Sequence, residues 1–472
     1  MDGLNCREIA LSEVLTNKDK RIDSQFWTTH IVKNPIYTYS KIGDVLLSSQ
    51  YGMSVEMNTD KKGYPIFRMN ELHNMLTDLE VEKYANVTSA EYQMFALQDK
   101  DVLFNRTNSY EWVGRTGIYY KNDDTPFTYA SYLVKFIPDR SIVLPEYLTT
   151  FLNTEMGVKA IKARARQSVN QTNVNPEEVK EIQIPLLSMK FQKVIEQLFL
   201  LANSQRLDSL DLYREAKELL EKEIGIDMYA ITSGGVSVKS FAESFGTYGR
   251  LDAEYYQPKY DYILSHIKSY KHGYFVLGDI IADYSTGYAF SSDDYTSVGV
   301  PLIRITNITD GRLDLSNANK IPEDKIPLNC KDYALGNDIL ISMSGSIGLS
   351  CVVPDGIKAL VNQRIMRITQ NKYDSNLMSM MINSFIANEQ LKRIGTGGVQ
   401  TNISATDIKN IVLPNLDNKT GEIITNKIKE STMLLEKSKR LLDCAIKAVE
   451  IAVEKNEETA ISWLESQKTK EI

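Results

Sequence analysis

Fifteen residues, QTNVNPEEVKEIQIP (171–185), return as QTNISATDIKNIVLP (400–414), displaced by 229 positions. Gln171/Gln400, Thr172/Thr401, Asn173/Asn402, Lys180/Lys409, Ile182/Ile411 and Pro185/Pro414 are identical. The same displacement lays RIDSQFW (21–27) over RLDAEYY (250–256). Between these anchors, with small gaps, IGDV (42–45) matches LGDI (277–280), PIFRM (65–69) matches PLIRI (301–305), and DVL (101–103) matches DIL (338–340). The order never changes. A period this long marks a duplicated domain, because solenoid units run roughly 20–50 residues. A chain of 472 residues is also too long for one ordinary core.

Within each copy, short apolar runs alternate with turn signals. GDVLL, PIFRM, KDVLFNR, TGIYY and SYLVKFIP read as strands in the first half, and GDII, VPLIRIT, GNDILIS and QRIMRIT in the second. In the repeated stretch Asn175 suits an N-cap, Pro176 the first helical position and Glu178 a capping box; Ser404 and Asp407 restate the pattern. A short capped helix, a strand (IQIP, IVLP) and a proline stop are predicted to close each copy as a compact α/β domain.

A long proline-free stretch follows each closing proline. In the second, Ile424, Ile428, Ser431, Leu435, Ser438, Leu442 and Ala445 step alternately by four and three, a heptad seam. Shifted by 229 they become Ile195, Phe199, Ala202, Arg206, Ser209, Tyr213 and Ala216. Small residues recur at every seventh position, which lets two helices approach closely. The two helices are therefore expected to pair through Ile195, Ala202, Ser209, Ala216, Ile424, Ser431, Ser438 and Ala445, rather than each packing only on its own domain. Antiparallel pairing would relate the domains by a pseudo-twofold axis. Roughly 35 residues at ~1.5 Å each span about 50 Å, or about fifteen base pairs of duplex. The expected divisions are a domain at 1–185, a spacer helix at 186–225, a domain at 226–414 and a spacer helix at 415–467.

Motifs for catalysis are missing. NPIY (34–37) has the outline of an adenine-methyltransferase NPPY but lacks the second proline and a preceding FxGxG loop. EVK (178–180) and DIK (407–409) fit a nuclease (D/E)xK, yet they fall on the repeated helix and read as a solvated face. GTGG (395–398) lacks the GK[ST] of a phosphate loop. Cys6, Cys330, Cys351 and Cys444 form no CxxC, and His30, His73, His266 and His272 form no HxxxH, so no metal is expected. No apolar run reaches the ~18 residues of a membrane helix, and MDGLNCREIA does not look like a signal peptide. A cytoplasmic protein is expected.

Binding chemistry is better represented. KAIKARARQ (159–167) carries Lys159, Lys162, Arg164 and Arg166 with no acid, and Lys392 and Arg393 lie at the matching place. FNRTNSYEWVGR (104–115) mixes Arg106, Asn108 and Arg115 with aromatic residues; its counterpart SMSGSIG (342–348) holds Ser344. Arg68 and Arg304 follow matching strands. Arginine among amides and aromatic rings suits phosphate and base-edge contacts. These twelve are the candidate DNA-binding residues. The net charge of −7 counts against nucleic acid only weakly, since a local basic face decides.

The duplicated order of RLDAEYY, GDVLL, PLIRITNI, KDVLFNR, GNDILIS and QTNIS…IKNIVLP resembles the specificity subunit of type I restriction-modification systems. The resemblance covers almost the whole chain. It implies a mixed α+β fold: duplicated target-recognition domains joined by two long antiparallel coiled-coil helices. It implies a non-catalytic subunit that reads a bipartite site on double-stranded DNA, asymmetric because the two domains differ between anchors. Two adenine methyltransferase subunits and restriction-translocase subunits would be its partners. The chain itself would bind no cofactor; the partners would use S-adenosylmethionine, and ATP with magnesium for restriction. Of the family's PPLxEQ-like stretch only Gln192 remains in the first copy. A recognition subunit of another methyltransferase, type IIB-like or phage-defence system remains an alternative, as does a protein-binding scaffold.

Overall fold

The computed structural model describes residues 7–17, 20–29, 32–168, 171–232, 235–316, 318–327, 330–395 and 402–468. Cys6, His30, the glycine loop beyond Gly395, Gln400 and Thr401 lie outside these residues. The chain divides into two units. The first comprises Met1–Arg206 with Leu435–Ile472, and the second Leu207–Leu434.

In the first unit the main sheet runs Leu46–Tyr51, Leu133–Pro138, Asp101–Asn105, Thr116–Tyr119, Leu76–Thr77 and Leu72–His73 in spatial order. Strand 101–105 is buried at every residue. This explains why it reads DVLF without alternation. A second sheet orders Thr128–Tyr129, Tyr64–Phe67, Tyr84–Ala85 and Met57–Asn58. The second unit repeats the core of the plan. Its main sheet runs Ile281–Ser285, Ile365–Gln370, Ile339–Ser342 and Ser350–Val352. In both units the second sheet contains a parallel pair, Ile66–Phe67 with Thr128–Tyr129 and Leu302–Ile303 with Leu360–Val361.

Two elements depart from the expected strands. IGDV and LGDI are 3-10 turns, Ile42–Val45 and Leu277–Ile280, and the strands begin after them. The reason is contact with the repeated helix. Gly43 lies against Lys180 and Gly278 against Lys409, where a Cβ would stand 3.0 Å from each. The Ile42 N–H donates to Ile182 O and the Leu277 N–H to Ile411 O, each at 2.8 Å. The closing strands Gln183–Pro185 and Val412–Pro414 pair antiparallel with Tyr39–Lys41 and Tyr274–Val276. The repeated sentence thus ties the end of each domain to its start.

The helices used below are α1 (Ser24–Thr28), α2 (Pro145–Asn153), α3 (Glu155–Arg164), α4 (Pro176–Lys180), α5 (Met189–Ile224), α6 (Ser375–Ile382), α7 (Phe385–Ile394), α8 (Ala405–Lys409), α9 (Asn418–Glu454) and α10 (Glu457–Lys468). Helix α4 starts as its sequence demands, with Asn175 accepting from the Glu177 N–H at 3.1 Å. Helix α8 has a full capping box between Ser404 and Asp407.

Helices α5 and α9 each contribute to both units. Within the first unit, Ile195, Ala202 and Ala445 are buried in one core, and the Ser438 hydroxyl donates to the Ala202 carbonyl at 2.7 Å. Within the second, the Ser209 hydroxyl donates to Ser431 O at 2.7 Å, and Ser431 returns the bond to Ser209 O at 2.6 Å. Ala216 and Ile424 are fully buried there. The pairing is antiparallel: Ser209 meets Ser431, whereas Glu215, further along α5, meets Lys427, earlier on α9 (2.6 Å).

The second spacer segment holds two helices. Asn34 explains the break, because its amide nitrogen donates to the last carbonyls of α9, Val453 at 2.9 Å and Glu454 at 3.3 Å, and to Lys455 O just beyond it at 3.0 Å. Tyr37 donates to Ala452 O at 3.0 Å, and Asn456 caps α10 through the Thr459 N–H at 2.8 Å. NPIY is therefore a helix-terminus clamp.

Gln192, 1% exposed, staples α5 to its domain. Its oxygen accepts the Leu144 N–H at 2.8 Å, and its nitrogen donates to Ile142 O and Leu187 O, each at 3.0 Å. Gln192→Ala strands two buried backbone groups, Leu144 N–H and Leu187 O, and leaves the half-buried Ile142 O to solvent. A loss of about 2–3 kcal/mol is expected, read from the urea midpoint; an unchanged midpoint would contradict the staple.

Candidate nucleic-acid interface

In the first unit the clusters singled out in the sequence meet on one edge. Strand Thr107–Asn108 pairs with Thr172–Asn173, which pairs with Arg166–Gln167. The hairpin 104–115, the basic stretch and the repeat's own QTN therefore form one small sheet. Asn173 accepts from the Thr107 hydroxyl at 2.7 Å, and the Val174 N–H donates to Arg106 O at 2.9 Å. Arg106 lies over the Tyr51 ring at 5.2 Å and Arg115 over Trp112 at 3.6 Å. Arg166 is half exposed, with Glu178 3.6 Å away. Asn108 stands beside them, its side-chain oxygen accepting from the Ser109 N–H. Such an edge of guanidinium, amide and indole groups can donate to phosphates and read base edges.

Several of the twelve residues are committed within the fold. Lys162 donates to the carbonyls of Tyr110, Glu111 (3.0 Å) and Val113 (2.9 Å), so it holds the hairpin; burial pushes its ammonium down to about 8. Arg164 donates to Glu178 O at 2.9 Å and Ala160 O at 2.8 Å. Arg68 is paired with Glu71 and Glu82. Lys392 pairs with Glu389 at 2.8 Å, and Arg393 donates to Tyr255 O at 3.0 Å. Lys159 is exposed but borders a groove with Lys33, Glu450 and Glu454 rather than the hairpin.

The second unit builds the same edge from other residues. The Ile403 N–H donates to Met343 O as Val174 does to Arg106 O, so Met343 stands in the place of Arg106. The Met343 N–H donates to Arg364 O as Arg106 does to Tyr132 O, which sets Arg364 in the place of Tyr132. Arg364 is exposed, has a left-handed backbone (φ +71°), and donates to Asn402 Oδ1 at 2.8 Å. Sequence reasoning missed it. Laying QRIMRIT over SYLVKFIP would have found it. Ser344 is buried and bridges to Asn402. Arg304 repeats the local turn of Arg68, but Asn307 replaces Glu71; among the described residues Arg304 has no carboxylate partner and lies over Tyr295 at 5.6 Å.

The nuclease-like triplets are structural. Glu178 is buried and faces Arg21 at 3.4 Å, and Asp407 caps α8. Among the described residues no group of three or more His, Cys, Asp or Glu is placed to hold a metal ion, and no helix is long and apolar enough to cross a membrane.

This duplicated edge is matched by a known domain. The description of the type I restriction modification DNA specificity domain fits residues 37–199 and again 272–440, together more than half of the chain. The chain belongs to that family. It is the DNA-specificity subunit of a type I restriction-modification system, a non-catalytic recognition subunit. A putative type I restriction enzyme MjaX specificity subunit from Methanocaldococcus jannaschii is 23% identical over 402 residues, covering 84% of this chain and 87% of that one. The EcoKI specificity subunit of Escherichia coli is 24% identical over 183 residues, 38% of this chain and 39% of that one. Among solved structures, the type I S subunit from M. genitalium aligns over 88% of this chain and 97% of its own, at 12% identity and TM-score 0.39. The stretches 21–27 and 250–256 lie outside the matched segments, each ahead of the segment of its own copy.

Proposed function

We propose that this subunit reads an asymmetric, bipartite site on double-stranded DNA, one half-site per recognition domain (1–185 and 226–414). The observation that carries the reading is one polar edge built twice on the same backbone with different side chains. Arg106, Asn108, Arg115 and Arg166 are the proposed contacts of the first half-site, and Arg304 and Arg364 those of the second. Lys162 and Arg164 support the first edge from behind, Ser344 and Arg393 are committed to Asn402 and Tyr255, and Lys392 is paired with Glu389 on its own helix. Arg68 is neutralised, and Lys159 faces a groove of mixed charge. The helical segments 186–225 and 415–467 set the spacer between half-sites. They also dock two adenine methyltransferase subunits, which bring S-adenosylmethionine, and restriction-translocase subunits, which bring ATP and magnesium. The complex works in the cytoplasm.

Methylome sequencing of cells with and without the gene tests the proposal. One split adenine-methylated motif is expected to vanish on deletion; if none does, the reading fails. Arg106→Ala is expected to relax one half-site only, at about 1–3 kcal/mol of lost discrimination. Binding of the complex should also fall log-linearly with salt, which a protein scaffold would not show.

A further inference from the structure

The stretch R-x-D-x-x-aromatic-aromatic occurs before each recognition domain and folds the same way twice. Arg21 grips Asp23 through a two-bond fork (2.6 and 2.9 Å), and Arg250 grips Asp252 likewise (2.8 and 2.5 Å). The last aromatic residue ties the turn back on itself. The Trp27 indole N–H donates to Arg21 O at 2.7 Å, and the Tyr256 hydroxyl donates to Arg250 O at 3.1 Å. The first aromatic ring is pinched between two guanidinium groups. Phe26 lies between Arg21 (5.0 Å) and Arg164 (5.4 Å), and Tyr255 between Arg250 (4.4 Å) and Arg393 (4.5 Å). Cation–π contacts of partly desolvated arginines hold such a ring firmly.

The second arginine of each pinch belongs to the last turn of a helix, Arg164 to α3 and Arg393 to α7. Those helices touch the recognition hairpins, each through one apolar side chain. Ile161 of α3 presses on Gly114, and Leu391 of α7 presses on Gly348. Both glycines have positive φ and close the hairpin at equivalent bonds, Gly114 N–H to Asn105 O (2.8 Å) and Gly348 N–H to Ser342 O (2.9 Å). In the first unit Gln25, inside the clip, also donates to the Tyr110 hydroxyl at 3.0 Å and to Lys162 O at 3.1 Å. Each clip is thus connected to its hairpin through one helix.

We propose that Phe26 and Tyr255 are positioning residues for DNA specificity: each clip sets its helix, and the helix sets the hairpin that reads one half-site. This rests on the bipartite reading above and adds determinants that lie outside the matched family segments and act on the reading edge through the residues that hold it. It accounts for the survival of R-x-D and the aromatic pair in both copies while the hairpins themselves differ.

The test uses the full methyltransferase complex and measures methylation of the wild-type split site against sites with one mismatched base in either half. Phe26→Ala and the milder Phe26→Leu are expected to lower the matched-to-mismatched ratio at the first half-site by about tenfold, leaving the second unchanged. Tyr255→Ala is expected to do the converse. Phe26→Tyr and Tyr255→Phe, which exchange the rings of the two copies, should keep both ratios. Loss of folded protein alone would lower matched and mismatched rates together and leave the ratio intact. Unchanged ratios in both alanine variants overturn the proposal while leaving the bipartite reading standing. A wild-type complex that methylates no split site removes the reading, and this inference with it.

Discussion

Ser209→Leu is expected to destabilise the helix seam of the second unit by several kcal/mol, roughly the sum of an overpacked contact and a lost hydrogen bond. Ser209 is fully buried, its hydroxyl 3.0 Å from that of Ser431, and each hydroxyl donates to the other residue's carbonyl. Leucine adds bulk where the helices are closest and removes both the donor and the acceptor that Arg312 approaches at 3.4 Å. Overpacking costs about 1–3 kcal/mol, and the lost hydrogen bond to a carbonyl that keeps its partner within α9 about 1 kcal/mol more. For a unit of this size the melting temperature should fall by about 10 °C. Ser209→Ala is the control. It keeps the close approach and loses only the hydrogen bonds, as Ala202 already does opposite Ser438, whose hydroxyl still reaches the Ala202 carbonyl. A drop of about 1 kcal/mol is expected for it. Differential scanning calorimetry of both variants decides the matter, and a leucine variant melting with the wild type would rule out close packing at this point.

The duplication and the seam were legible because repetition multiplies weak signals. No single heptad in α5 is convincing, since Arg206 and Tyr213 sit on the seam, but its match with α9 in the same register is. Those two residues also show what periodicity leaves out. Arg206 donates to Thr77 O at 2.7 Å and Tyr213 to Asp310 at 3.0 Å, so each turns from the seam to its own domain. The 3-10 turns at IGDV and LGDI were not legible, because contact with Lys180 and Lys409, more than a hundred residues away, sets them.

The candidate interface was legible as a region but not residue by residue. Sequence shows where cations cluster and not what each one faces. Lys162 and Arg164 belong to the most basic run in the chain, yet both are satisfied by carbonyls and lie behind the edge. Arg364 stands at the start of an apolar run, QRIMRIT, outside any cluster of cations, and carries no compositional signal. It reaches the edge because its left-handed backbone precedes the central strand Ile365–Gln370. The paired R-x-D stretches were seen as anchors, but a ring pinched between two arginines needs Arg164 and Arg393, which are 138 positions from their aromatic partners in each copy (164 − 26 and 393 − 255).

Gly114→Ala and Gly348→Ala should each damage recognition of one half-site. The backbone at these glycines has φ +94° and +79°, which costs an alanine about 1–2 kcal/mol. Space is lacking as well. A Cβ at 114 would stand 2.6 Å from Ile161 Cγ2, and one at 348 would stand 2.6 Å from Leu391 Cδ1. The hairpin is the lighter partner, so it should move while α3 or α7 stays. Binding of the complex to the matched site is expected to weaken about tenfold or more, with discrimination lost only in the half-site of the altered unit. Ile161→Ala opens the space that the new methyl needs and leaves the backbone strain in place. The double variant Gly114→Ala/Ile161→Ala should therefore lose less than the two single variants combined, with a coupling of about 1 kcal/mol in a double-mutant cycle. Strictly additive losses would mean that α3 does not bear on the hairpin, and that the two faces of the recognition domain act independently.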